Sequence, residues 1–377
     1  MTKQVLSFIE LLSDIDDPRQ SKGKRYSLKA LLALTAAAMM CGYRSYSAIS
    51  EWGRNYRQDI CSALGFTSKK TPCAATFFNL FRRIDKEAFE KKLASFCQSL
   101  DQHSIQEENL SQAIALDGKT LRGSKKAGAK DVHLLSALSH KRGITLAQTS
   151  VPDKTNEITA VKKLLPLVPL KGKVITADAL LTQREVCETI LRRGGHYVMK
   201  VKDNQPSLLS WIKSVFEEPL HPTHETTKSS RLDQGHGRIE KRSLIASSVL
   251  GDHGLWPGLE QCFKLEAERV NSKSGEESKE VSYGITSLSR EEVEVGRLLE
   301  LNRQQWHIEN KSHWVRDVTY DEDRSQVRVG SVPEVMAAMR NVVIGIMRCA
   351  GESNIARACR KFAAQPWAAL ALLGIKT

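Results

Sequence analysis

The sequence of 377 residues predicts an α/β protein preceded by an all-helical region. Three observations carry this reading. Residues 1–105 place apolar side chains at helical spacing. From residue 113, three strand-like runs (AIALDGKTLRG, VHLLSALSH, ITLAQTSV) succeed one another across turn-like charged segments, as in a meander. The pattern then alternates helix, strand, helix, strand. That order sets the last two strands parallel to the first, in a mixed five-stranded sheet with flanking helices.

Each element has its own signal. Leu6, Ile9 and Leu12 recur at helical spacing. Ser27 caps a helix that runs through Cys41, and Gly42 stops it. Ser45 caps SYSAISEWGRNY, and two further helices fill TPCAATFFNLFRRIDKEAFEKKLASFCQSL. EITAVKKLLPLVPL reads as a helix closed by prolines, KVITADAL as the fourth strand and TQREVCETILRRGG as the next helix. HYVMKVK is the fifth strand and ends in the turn DNQP. Residues 207–298 are mixed: WIKSVFEE suits a short helix, while GHGRIEKRSLIASSVL and SKEVSYGITSL suit strands. This segment reads as an insertion rather than a continuation of the sheet. Helices return in REEVEVGRLLELNRQQWHIENKSHWVRDV and SVPEVMAAMRNVVIGIMRCA, and the tail holds two short ones split by Pro366 and ended by Gly374. The expected organisation is a helical domain over 1–105, a catalytic domain over 106–350 with its insertion at 207–298, and a tail over 351–377.

Composition narrows the partners. With 41% hydrophobic and 26% charged residues the chain is globular. Its net charge of +13 favours a polyanion, nucleic acid above all; an acidic membrane surface or acidic protein is the other class such charge serves. Arg19, Lys22, Lys24, Arg25 and Lys29 cluster without an acid among them, as a solvated loop or a phosphate-contacting arm. None of the 8 cysteines forms a CxxC pair, which argues against a zinc module and for reduced core thiols. The longest apolar run, residues 31–41, falls short of the roughly 20 residues a bilayer span needs. The N-terminus lacks a signal-peptide pattern, so a soluble cytoplasmic, nucleoid-associated protein is expected.

The chemistry concentrates at strand ends. Asp117 closes an apolar run, where an aspartate either caps a turn or is neutralised by a cation, because a bare buried charge is costly. Asp178 closes the fourth strand in the same way, sharing a face with Val174 and Thr176. Ligand groups gather at such strand ends in open α/β sheets, and two carboxylates meeting there require a cation such as Mg²⁺. Glu309 is the best third carboxylate, on an amphipathic helix where Gln305, Trp306, Ser312 and His313 flank it and Asn302 and Arg316 lie roughly on its face. Asp317 and the run Asp321, Glu322, Asp323 are rivals for that role.

LDGKTLRGS, KTNEITA, TADALLTQ, GGHYVMKVKDNQP, GHGRIEKR and WHIENKSHWVRDVTYDED occur in this order. Together they resemble the DDE transposases of bacterial insertion sequences, in the branch of the H-repeat-associated proteins. DIDDPRQSKGKRYSLKALLAL, AISEWG and PCAATFFNLFRRID resemble the small domain in front of the catalytic domain in that branch. The resemblance implies a ribonuclease-H-like core interrupted by a β-rich insertion, and an acidic triad, carried over as Asp117, Asp178 and Glu309, that holds two Mg²⁺ ions or, in substitution, Mn²⁺. It implies double-stranded DNA as partner, both terminal inverted repeats and target, and a homodimer or larger assembly on that DNA. The wider superfamily's Tyr-x2-Arg-x3-Glu-x6-Lys signature reads here as Asn302, Gln305, Glu309 and Arg316. Such departures also fit a decayed DNA-binding relative, and the same fold serves nucleases that cut without joining.

Around the triad, Lys119, Arg122, Lys200, Lys202, Arg303 and Arg316 are expected phosphate contacts, with Arg19, Lys22, Lys24 and Arg25 in the N-terminal region. His236 and Arg238 alternate onto one face of an insertion strand and suit a DNA or hairpin-end contact. Lys154, Asn156 and Glu157 lead into the first core helix, as caps or contacts. Trp306 and Trp314 are expected in the core.

Overall fold

In the computed structural model, which describes residues 7–22, 24–56, 59–67, 70–102, 112–125, 131–151, 157–217, 226–235 and 237–375, the apolar run at residue 113 forms the central strand β1 (Ala113–Leu121). β2 (Val132–Ser139) and β3 (Thr145–Val151) extend it as an antiparallel meander. On the other side β4 (Val174–Ala177) pairs parallel to β1, and β5 (His196–Val201) parallel to β4. The five-strand order is the one the sequence predicts. The expectations for Leu6, Lys154, Asn156 and His236 lie outside the described residues.

The N-terminal helices are α1 (Phe8–Ser13), α2 (Leu28–Met40), α3 (Tyr46–Asn55), α4 (Ile60–Ala63), α5 (Ala74–Phe81) and α6 (Lys86–Gln102). Ser27 and Ser45 cap α2 and α3 through their hydroxyls, as the sequence predicts. Between β3 and β5 run α7 (Glu157–Leu164) and α8 (Arg184–Arg192).

The segment after α9 (Pro206–Glu217) is β-rich, as expected, but it continues the sheet, which corrects the expectation that it would not. It folds into β6 (Thr226–Gly235), β7 (Arg238–Ser247), β8 (Gln261–Asn271) and β9 (Glu277–Thr286), and these continue the main sheet in the order β3-β2-β1-β4-β5-β9-β8-β7-β6. The join is antiparallel, from Val198↔Thr286 to Val201↔Tyr283. Its cause is the open edge of β5, whose unpaired amides and carbonyls need a partner. The apolar end of β9 supplies one, while its exposed first half pairs only with β8. β6 gives no strand signal in the sequence because it is polar along most of its length, whereas β8 alternates Phe263, Leu265 and Ala267 with Lys264, Glu266 and Glu268.

The helical pattern around Glu309 is also revised. α10 (Val295–Gln304) ends before it, and Glu309–His313 and Val315–Thr319 are π-helical. The wider π turn carries Arg316 off the face of Glu309. α11 (Val332–Cys349), α12 (Ile355–Ala364) and α13 (Pro366–Leu372) close the chain.

Alternating residues serve two cores. Ile114, Leu116, Ile175 and Ala177 pack with Leu93 of α6, Val161 of α7, Val342 of α11 and the remaining N-terminal helices. Ala113, Val174 and Val198 face Leu298 and Leu301 of α10, and Ala115 meets Ile308. Asp117 and Asp178 fall on this second side by alternation. All 8 cysteines are free, with Cys73 and Cys349 exposed and the others buried. Among the described residues no helix is long and apolar enough to cross a membrane.

Candidate active site

β1 and β4 stop pairing at Leu116↔Ala177, so Asp117 and Asp178 are the next residue on each strand. Gln305 occupies the fork. Its amide donates to the Leu116 carbonyl at 2.9 Å and its side-chain carbonyl accepts from the Thr176 hydroxyl. Thr176 also bonds the His140 imidazole at 2.9 Å, and the other ring nitrogen of His140 meets Gln304 at 3.2 Å. Burial pushes the His140 pKa down to about 3, so this ring is a neutral strut. These contacts fix the end of α10 on both strands and aim the π segment at Asp117.

The π segment brings two further groups to Asp117. Asp117, Glu309 and His313 each offer a ligand atom, and these atoms lie within 4.8 Å of one another. His313 Nδ1 donates to Glu309 Oε2 at 3.0 Å and stands 3.5 Å from Asp117 Oδ2. Burial pushes the Asp117 carboxyl up to about 6; His313 opposes the shift, and Glu157 and Glu309 add to it. The hydrogen bond from His313 holds Glu309 below the usual carboxylate range. On the neighbouring face, Glu157 and the His133 ring pair at 2.7 Å across Gly118, where no Cβ fits.

This donor set suits a divalent cation. The carboxylates fit Mg²⁺ or Mn²⁺, which take one or two of them and keep their waters, while His313, whose Nδ1 proton is donated to Glu309, orients them. Asp178 stands apart from the cluster: its carboxylate is 55% exposed and faces Lys202 at 3.8 Å. Sequence reading placed His313 beside Glu309 without assigning it a part in the site. The signal was the i, i+4 interval, which pairs the two side chains.

The expected phosphate contacts divide. Lys119 is corrected: it is buried, bonded to Asp317 at 2.6 Å, and so neutralised inside the fold. Asp317 and Asp323, both expected as rivals for the third ligand, are thereby occupied with that lysine. Arg316 is corrected as well. It is fully buried, its Nε and Nη2 meeting Glu322 at 2.8 and 2.7 Å, and Arg340 meets the other Glu322 oxygen at 2.7 Å. Glu322, another rival ligand, is thus a core ion-pair residue. Arg19 clamps Asp17 and the Tyr26 carbonyl, and Lys24 shares Asp17 at 3.4 Å, so this arm is ordered by its own acid. Lys22 and Arg25 are exposed. Arg122, just after β1, is 79% exposed and approaches Asp323 at 3.9 Å. Lys200 and Arg303 line a groove between β8, β9 and α10, Arg303 pairing with Asp233 at 2.8 Å. Arg238 lines an adjoining cavity of about 770 Å³. Trp306 and Trp314 are 58% and 54% exposed, which corrects their expected place in the core: Trp306 lies in the turn after α10, and Trp314 lies between the two π segments.

Comparison with known proteins converges on one family. Residues 108–344 match the family described as Transposase DDE domain, and residues 9–97 match the one described as DDE_Tnp_1-associated. The protein named "Putative transposase YncI" of Escherichia coli O157:H7 is 30% identical over 353 residues, 91% of this chain and 88% of that one. "H repeat-associated putative transposase YhhI" of Escherichia coli K12 is 30% identical over 356 residues, covering 91% of both chains. A solved piggyBac transposase synaptic complex with hairpin DNA is similar at a TM-score of 0.44 and 10% identity, over 98% of this chain and 77% of that one, a likeness too slight to bear on fold or function.

Proposed function

Because this chain belongs to the Transposase DDE domain family, we propose that it is a DNA transposase that cuts at the terminal inverted repeats of an insertion sequence and joins the freed 3′ ends to target DNA. The observation that best supports this reading is the convergence of Asp117, Glu309 and His313 at the fork of β1 and β4, with Asp178 on the adjacent strand end. Asp117, Asp178 and Glu309 would hold divalent cations, Mg²⁺ or Mn²⁺, which supply charge stabilisation to the attacking and leaving oxygens of an in-line displacement.

The chain's own residues prepare that site. His313 ties Glu309 and Asp117 into one geometry from a position only 2% exposed. The Asp178–Lys202 pair is exposed and worth about 0–1 kcal/mol, so it yields readily to a stronger ligand. Lys200, in the groove beside α10, and the exposed Arg122 would contact the phosphates of bound DNA. No covalent protein–DNA intermediate is required.

The test is Asp117→Asn with a plasmid carrying the element's ends. Cleavage in Mg²⁺ falls by about 10³-fold or more, in line with losing several kcal/mol of charge stabilisation. Binding to the same DNA stays within about twofold, since phosphate contacts dominate affinity. Undiminished cutting by this variant would show that the chemistry lies elsewhere.

A further inference from the structure

A second cavity, of about 620 Å³, lies away from the acidic cluster, between the starts of α3 and α5 and the loop that follows the π segment. Among the described residues its lining carries Arg44, Arg324 and Arg328 against a single acid, Asp321, together with Arg340, whose charge is shared with the buried Glu322. That acid does not neutralise them. Arg44 and Arg324 share it at 3.6 and 3.8 Å, and both guanidiniums stay open to solvent, at 47% and 86% exposure. Arg328 spends its Nε on the Gly123 carbonyl at 3.2 Å, which adds no negative charge.

Two helix N-termini open onto the same space. Ser45, Tyr46 and Ser47 begin α3, and Ala74 and Ala75 begin α5. Ser45 spends its hydroxyl on the Ala48 amide, and both helices turn the positive ends of their dipoles toward this space. A separate observation comes from the wall. Arg340, 2% exposed, donates one nitrogen to Glu322, but its Nε has no hydrogen-bond partner, and neither has the buried hydroxyl of Tyr46. Fixed positive charge, two helix N-termini and unspent side-chain donors together are what a phosphate group takes up.

We propose that this cavity is a phosphate-binding site, its ligand a phosphodiester of the DNA backbone. It couples the N-terminal helices to the loop that carries Asp321 and Arg324, so a backbone held there is gripped by both parts of the chain at once. The site rests on the transposase reading only for the carrier of the phosphate.

The test uses the full-length protein with Arg44 and Arg324 both changed to Gln, two exposed positions whose substitution leaves melting unchanged. Binding of a short duplex is measured against salt, and binding of inorganic phosphate is measured by calorimetry. The expected result is a log–log salt slope shallower by about 0.9 for each phosphate that the variant no longer neutralises, with rescue by Arg44→Lys and Arg324→Lys. Loss of inorganic phosphate binding with an unchanged DNA slope would uphold the phosphate site and assign it to a free anion. An unchanged slope together with unchanged phosphate binding overturns it. Mg²⁺ binding and plasmid cutting separate this outcome from failure of the transposase reading: if the variant's slope becomes shallower as expected but wild type never cuts, the cavity stands and the active-site assignment falls.

Discussion

His313 donates from Nδ1 to Glu309 at 3.0 Å, four residues back on a π-helical turn, while the same nitrogen stands 3.5 Å from Asp117 on β1. One imidazole thus ties a helix carboxylate to a strand carboxylate. The buried ring, 2% exposed, cannot swing away, so the two acids are held near each other before any cation binds. Groups that orient metal ligands in this way commonly contribute 10–100-fold in affinity.

His313→Ala should therefore weaken Mg²⁺ binding by about 10–100-fold in calorimetry, and His313→Gln by less, because its amide can still donate to Glu309. Equal affinity in wild type and His313→Ala would remove the histidine from the site.

Asp117 makes the metal-free protein pH-sensitive. Its folded pKa, pushed up to about 6, lies above the ordinary carboxylate value of 3.8, so the folded state holds this proton more tightly than the unfolded state. Stability in chelator should fall as pH rises from about 4 through 6, and Asp117→Asn should lose that part of the dependence. Melting temperatures at about pH 5 and pH 7 check it: the variant gains on wild type at the higher pH. Divalent affinity runs the other way and declines below about pH 6, since the ligand is the deprotonated carboxylate.

Gly118→Ala should destabilise by about 1–3 kcal/mol, because the new methyl meets the Glu157 carboxylate and stands 2.6 Å from His133 Nε2. Denaturant unfolding reads this directly. A loss below a few tenths of a kcal/mol would mean that the His133–Glu157 pair yields freely.

Glu322→Ala should cost about 3–5 kcal/mol by leaving Arg316 and Arg340 buried without a counter-charge. Burial alone would raise the Glu322 carboxyl, yet the two arginines hold it below its ordinary value. Its contribution is accordingly present at neutral pH and fades as pH falls through that lowered pKa. Acid unfolding of wild type and variant should converge at the lowest pH.

Much of the fold was legible because its signals are local. Ser27 and Ser45 announce their helices by capping chemistry, and the runs ending in Asp117 and Asp178 announce strands by unbroken apolar character. β6 carries no such signal, since a strand that buries little has little reason to place apolar residues on one face. Lys119 and Arg316 looked like surface cations because a sequence gives charge without giving the acid across from it.

By itself the sequence determined the strand order of the core, the strand-end acids and the family, for these follow from periodicity, capping and motif order along the chain. Tertiary structure alone decided three things: that the segment after α9 continues the sheet, that Asp178 faces Lys202 while His313 joins Asp117, and which cations are spent on buried acids. Each depends on a pairing between residues far apart in sequence. An open strand edge, a π turn and a buried ion pair are all completed by whatever the fold brings beside them.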